Sequence, residues 1–193
     1  LGTTVIAQYP FAHLPARRKF LSDSSREWRA VAQVLTQLVI AHPNVAWHIT
    51  HNHRPIWHLP VSEPFDRLIA VLGIDQPQLI TTVQSQTDWL SISGWIGHPQ
   101  LARSSQNTQF LYVNKRPFMW PIANRRIKSA YGQLLASRLE PFFILNLELS
   151  PTLVDANVHP QKTTVKFMDE TQLLLSIQTA ISDTLHRAYT LEQ

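Results

Sequence analysis

Apolar and polar positions follow two rhythms along the chain. Trp28, Val31, Ala32, Val34, Leu35, Leu38 and Val39 recur at helical spacing, with Asp23, Ser24 or Ser25 as a cap ahead of them. This helix is predicted to reach about Ala41, where Pro43 stops it. Shorter helices are predicted over residues 63–72, closed by Gly73, and over 122–135, with Ile127, Ala130, Tyr131 and Leu134 on one face. A closing helix over 171–189 carries the stripe Leu174, Ile177, Ile181, Leu185. The two-residue rhythm predicts strands over 78–86 and 89–96; the β-rich run 2–9, the buried-type run 109–114 and the apolar run 140–149 are also predicted strands, and 45–51 with 55–59 a hairpin across Asn52-His53. Prolines make residues 10–20 a loop, the polar run 99–107 reads as a mobile loop, and Lys115-Arg116-Pro117 reads as a turn.

One stretch joins pattern to chemistry. Val154, Ala156 and Val158 alternate with Asp155 and Asn157, Pro160 ends the pairing, and 163–167 form a second strand. Lys162 then sits on a short turn between two rigid elements. An ammonium held there suits a phosphate. The competing reading is a solvated lysine at a hairpin tip. The mixed element order gives an α+β class or an irregular α/β sandwich.

Composition narrows the functions. A chain of 193 residues holds one domain, or one and a piece of another. Cysteine is absent, which removes disulfides and thiolate metal sites. No apolar run has membrane-spanning length, so no membrane partner is expected. The opening Leu1-Gly2-Thr3-Thr4 lacks a Met and a basic leader, and reads as the interior of a longer cytoplasmic polypeptide.

The net charge of +4 is unevenly spread. No acid lies between Asp88 and Glu140, while Arg103, Lys115, Arg116, Arg125, Arg126, Lys128 and Arg138 all do. Such a one-sign block is either a polyanion footprint or a solvated basic face. Arg17, Arg18 and Lys19 form a second, smaller basic cluster. Histidines gather at His42, His48, His51, His53 and His58; His51 and His53 share a hairpin face, but no carboxylate or cysteine nearby completes a ligand set. No metal site is expected. No nucleophile–base pair or paired carboxylates stand out either.

Three motifs carry a family resemblance. Gly2-Thr3-Thr4-Val5 followed by Phe11-x-x-x-Pro15-Ala16-Arg17-Arg18-Lys19-Phe20-Leu21 resembles the N-terminal region of the MutL mismatch-repair ATPases. So do residues 110–117 (FLYVNKRP) and 154–162 (VDANVHPQK), in family order. Position 13 departs from the pattern, with His13 where the family usually has asparagine, and Pro10 stands for the usual leucine.

The resemblance implies a fold and a mechanism. Residues 1–22 would be the tail of a GHKL ATPase domain. Residues 23–193 would be the transducer domain, a ribosomal-protein-type βαβ fold with a left-handed crossover. The family's catalytic glutamate, metal-binding asparagine and glycine-rich lid lie upstream of Leu1. This chain alone is therefore expected to be inactive and to bind no cofactor. The full-length protein is expected to be a weak ATPase using ATP and Mg2+. Lys162 corresponds to the lysine that reaches the γ-phosphate from the transducer, with Asn157, His159 and Pro160 shaping its loop. Thr3 and Thr4 border the nucleotide site. Arg125, Arg126 and Lys128, with Lys115 and Arg116, fall in the DNA-contacting region, where Lys128 replaces a usual arginine. That contact would be to the backbone and independent of sequence. Implied partners are DNA, a mismatch-recognition protein of the MutS type and a second copy of the full-length chain, acting at the bacterial nucleoid. The alternative function is a stand-alone basic nucleic-acid-binding module without ATP coupling.

Overall fold

The computed structural model describes residues 3–8, 11–19, 21, 23–155 and 166–190. Two compact units divide the chain, Leu1–Thr36 and Gln37–Gln193. In the first, residues 3–8 form no strand, and Val5 and Ile6 are 86% and 76% exposed. This corrects the strand expected over 2–9. β-branched side chains favour a sheet only when a partner edge is present, and among the described residues none pairs with this segment. Within the expected loop, Pro15–Arg18 winds into one helical turn (α1), because proline is tolerated at a helix start.

Helix α2 spans Ser24–Ala41. Asp23 caps it, accepting hydrogen bonds from the N–H groups of Ser25 and Arg26 at 3.0 Å each and from the Ser25 hydroxyl. Those bonds, the Ser25 hydroxyl first, hold the Asp23 carboxyl below its ordinary range. The chain then makes a two-stranded hairpin, β1 (Trp47–His51) with β2 (Arg54–Leu59). Asn52 and His53 turn it with φ of 50° and 63°, the left-handed geometry that matches strand twist. Helix α3 (Pro64–Leu72) opens with proline and ends at Gly73, whose φ of 60° lets its N–H reach back to Ile69 O.

A five-stranded sheet follows in the order β3-β4-β7-β5-β6. Its strands are β3 (Ile80–Gln86), β4 (Leu90–Gly97), β5 (Gln109–Val113), β6 (Arg116–Phe118) and β7 (Phe143–Leu149). β5 runs parallel to β7, and the crossover between them contains helix α4 (Pro121–Tyr131). The turn expected at residues 115–117 lies one step earlier. Asn114 and Lys115 make it with φ of 48° and 66°, and Arg116 begins β6. The expected helix over 122–135 stops at Tyr131 because Gly132 adopts φ 53°, ψ −127°, outside helical space. The central strand begins at Phe143, two residues after Pro141, which has no N–H for the ladder.

Side-chain alternation splits the core in two. Leu111, Val113, Phe143, Leu145, Leu147, Ile92 and Ile96 point to one face, where α4 and the closing helix α5 (Glu170–Thr190) add Ile127, Tyr131, Leu173, Ile177 and Ile181. Phe110, Tyr112, Ile144 and Trp95 point to the other, under Ile40 of α2 and Leu68 of α3. Both faces are therefore covered along part of the sheet, a layered α+β arrangement. Tyr112 donates to Gln37 O at 3.0 Å, and burial pushes its phenol well above the ordinary range.

Candidate functional site

The end of β7 is where the candidate lysine loop takes root. Asn114 works as an extra rung of the parallel ladder: its side chain donates to Leu149 O at 3.0 Å and accepts from Leu149 N–H at 3.1 Å, while its own N–H reaches Leu147 O at 2.9 Å. Asn146 reinforces the corner by accepting from the Lys115 N–H at 3.0 Å. Beyond Leu149, Val154–Asp155 (β8) pairs antiparallel with Lys166–Phe167 (β9), Val154 opposite Phe167. The Met168 N–H donates to Leu153 O at 3.2 Å.

Phe167 is buried and seals the root. Its ring lies 4.7 Å from Trp120 and 5.8 Å from Phe118. Trp120 is the N-cap residue of α4, so one aromatic cluster joins the loop root to the basic helix. Both ends of the hairpin are thus anchored in the main core. Lys162, Asn157, His159 and Pro160, and the strand expected over residues 163–165, lie outside the described residues.

The basic residues separate into two groups. Arg125 and Arg126 are exposed on α4. Arg116 is exposed opposite Val113, whose side chain enters the α4–α5 core, so Arg116 shares that face. Lys115 lies elsewhere. It lines a groove of about 540 Å³ on the α2–α3 side of the sheet, with Trp95, Tyr112, Asn146 and Glu148. Thr3 and Thr4 are exposed.

Lys128 is already engaged. Its ammonium lies 2.8 Å from the Glu140 carboxylate and donates to Ser137 O at 2.8 Å. Gln109 donates to the other Glu140 oxygen at 3.2 Å, and Asn124 bonds Gln109 in turn at 3.1 Å. Burial pushes the Glu140 carboxyl up, but the bonds from Lys128 and Gln109, the Lys128 charge and Gln106 outweigh it and leave the group below its ordinary range. Glu140 also bridges to Arg103 through paired backbone hydrogen bonds of 3.1 and 2.7 Å. The sequence carried a hint of this hub: Glu140 closes the long acid-free stretch, so it is the nearest available counter-ion. Asn114, Phe167 and Trp120 gave no comparable signal, because their partners are distant in the chain.

The architecture defines a class, a layered α+β domain built on a five-stranded mixed sheet. A family model described as DNA mismatch repair protein, C-terminal domain, matches residues 68–186, and the chain belongs to this family. It is 34% identical over 169 residues to the DNA mismatch repair protein MutL of Chlorobium phaeobacteroides, covering 88% of this chain and 27% of that protein. The MutL of Christiangramia forsetii is 32% identical over 184 residues, or 95% of this chain and 30% of its own length. The chain therefore spans about 30% of the curated relatives it matches. Among solved structures, the N-terminal domain of a DNA repair protein aligns with a TM-score of 0.75 at 22% identity, over 95% of this chain and 61% of that one. The Aquifex aeolicus MutL ATPase domain complexed with ADP aligns with a TM-score of 0.56 at 19% identity, over 73% and 50%.

Proposed function

We propose that this chain is the transducer part of a MutL-type mismatch repair protein. It couples ATP binding and hydrolysis in an upstream domain to DNA binding and conformational change. The observation that carries the reading is the anchored hairpin root: β8 and β9 pair, and Phe167 locks them to the core. A lysine mounted on such a root is a cation supplied by one rigid body to another. It senses the terminal phosphate and stabilises charge during transfer. Loss of the phosphate releases the tie, so domain orientation follows nucleotide state. Among the described residues no three His, Asp or Glu groups converge on a metal position. No step here runs through Mg2+.

The experiment restores the upstream ATPase domain. The chain alone is expected to turn over no ATP. In the joined protein, Lys162→Ala is expected to lower turnover at least about tenfold, the loss of about 1.4 kcal/mol of transition-state stabilisation. An unchanged rate would remove the phosphate role.

DNA binding belongs to the same proposal and rests on the exposed Arg116, Arg125 and Arg126. Arg125→Glu with Arg126→Glu is expected to weaken duplex binding equally across sequences and to flatten the salt dependence, by about 0.9 in log–log slope per lost phosphate contact. Identical affinity and slope would clear this helix. Lys128 is a poorer probe, since its removal also takes the counter-ion from Glu140. Pairing with a MutS-type protein, homodimerisation and cytoplasmic action are proposed for the whole protein; no helix among the described residues is long and apolar enough to cross a membrane. The reading as a stand-alone nucleic-acid module uses the same arginines but gives the anchored loop no task.

A further inference from the structure

The β1–β2 hairpin carries a feature that neither ATP nor DNA coupling uses. His48 and His58 are direct cross-strand partners. Their ring centroids lie 5.4 Å apart with planes at 87°. Both side chains are exposed, and among the described residues neither imidazole takes part in a hydrogen bond. Trp47, Ile49, Trp57 and Leu59, at the flanking register positions, take the opposite and more buried face.

We propose that His48 and His58 form a two-imidazole chelate for a borderline divalent cation such as Zn2+, Ni2+ or Cu2+. The separation suits one. A metal–nitrogen bond of about 2.0–2.1 Å puts each ring centre about 3.2 Å from the ion. Two centres 5.4 Å apart then subtend about 115°, close to the tetrahedral angle. The rings now meet edge to face, so one must turn to aim its nitrogen at the shared point. Histidine χ2 is a soft torsion and both side chains are exposed, so this rotation costs little.

Imidazole without carboxylate or thiolate selects these metals over Mg2+ or Ca2+. Thr50, Pro55 and Ile56 add no ligand, so water completes the shell. With two protein ligands the site is open rather than a closed structural one. Its effect is mechanical. A two-stranded hairpin is marginal by itself, and an ion held by both strands ties them in register.

The test titrates the tag-free 193-residue chain with ZnCl2 and NiCl2 against a chromophoric chelator, and follows melting with and without the ion. One cation per chain is expected, with a rise in melting temperature, because the ion binds only the folded hairpin. His48→Gln and His58→Gln should each lower the association constant at least about tenfold, and the double variant little further. His51→Gln, on the same hairpin, should keep the parent's affinity, which separates chelation from general loss of histidine. Parent-like binding by His48→Gln or His58→Gln, or no stoichiometric binding by a folded parent, would overturn the proposal. The outcome is independent of ATP turnover and DNA binding.

Discussion

Replacing Arg67 with methionine is expected to destabilise the Gln37–Gln193 unit by about 3–5 kcal/mol. Arg67 sits on α3 and is 1% exposed. Its guanidinium donates to Val39 O at 3.2 Å, Pro43 O at 3.1 Å, Val45 O at 3.0 Å and Pro60 O. Those carbonyls end α2, form the link to β1 and form the link from β2 to α3. One side chain therefore joins the end of α2 to two connections that have no ladder of their own.

Burial works against the charge and lowers the Arg67 pKa, yet arginine stays protonated in proteins. Two effects compete when it is removed. Methionine abolishes a desolvation cost of several kcal/mol. It also deletes four hydrogen bonds from a charged donor, each contributing about 1.5–3 kcal/mol, and takes this donor from the Val39, Val45 and Pro60 carbonyls, while Pro43 O keeps the Ser62 N–H at 3.1 Å. The second sum is larger, which sets the direction. Arg67→Lys keeps the charge but lacks the planar fork, so its loss should fall between methionine and the parent. Urea unfolding monitored by tryptophan fluorescence measures it. A loss below about 1 kcal/mol for methionine would mean that the carbonyls find other donors.

Gly94→Ala is expected to be at least as damaging, above about 4 kcal/mol, with loss of soluble folded protein as the visible outcome. Gly94 lies in the middle of β4 with φ of 143°, where only glycine is comfortable. An added Cβ would lie 2.0 Å from Ile144 O, and 3.0 Å from both Ile144 C and Leu145 Cα. All three are backbone atoms of β7, so no side chain can rotate out of the way. Relief requires opening the β4–β7 ladder at Gly94–Leu145, in the centre of the sheet. Gly73→Ala is the informative comparison. Gly73 also has positive φ, but a Cβ there meets nothing within 4 Å, and the cost should stay near about 1 kcal/mol. Similar losses for the two variants would show that β4 shifts to accommodate the methyl group.

Most elements were legible because their signals are local. The cap at Asp23, the stop at Pro43, the αL glycine after α3, the alternation in β3 and β4 and the apolar runs of β5 and β7 each act within a few residues. Errors arose where a partner elsewhere decides. Residues 3–8 have strand composition and no strand to pair with. Lys115-Arg116-Pro117 has turn composition, yet the following Phe118 is drawn into the core against Phe167, and the turn moves back to Asn114-Lys115. Lys115 and Arg116 are adjacent in sequence, but Lys115 sits in the left-handed turn and lines the α2–α3 side, while Arg116 begins β6 opposite Val113 on the other face. A charge run could not anticipate that split, nor that Lys128 would close on Glu140.

The sequence by itself determined the periodicities, the helix and strand boundaries set by proline, glycine and capping residues, and the three motifs that place the chain in its family. Each depends on the chemistry of neighbours along the backbone. Tertiary structure alone decided that Arg67 would bind the carbonyls of a helix end and two connections, that β7 would approach Gly94 too closely for a side chain, and that Phe167 would anchor the hairpin root on Trp120. These are contacts between residues far apart in the chain, and their energies come from burial and from hydrogen bonds that exist only once the sheet and its two helical layers have closed.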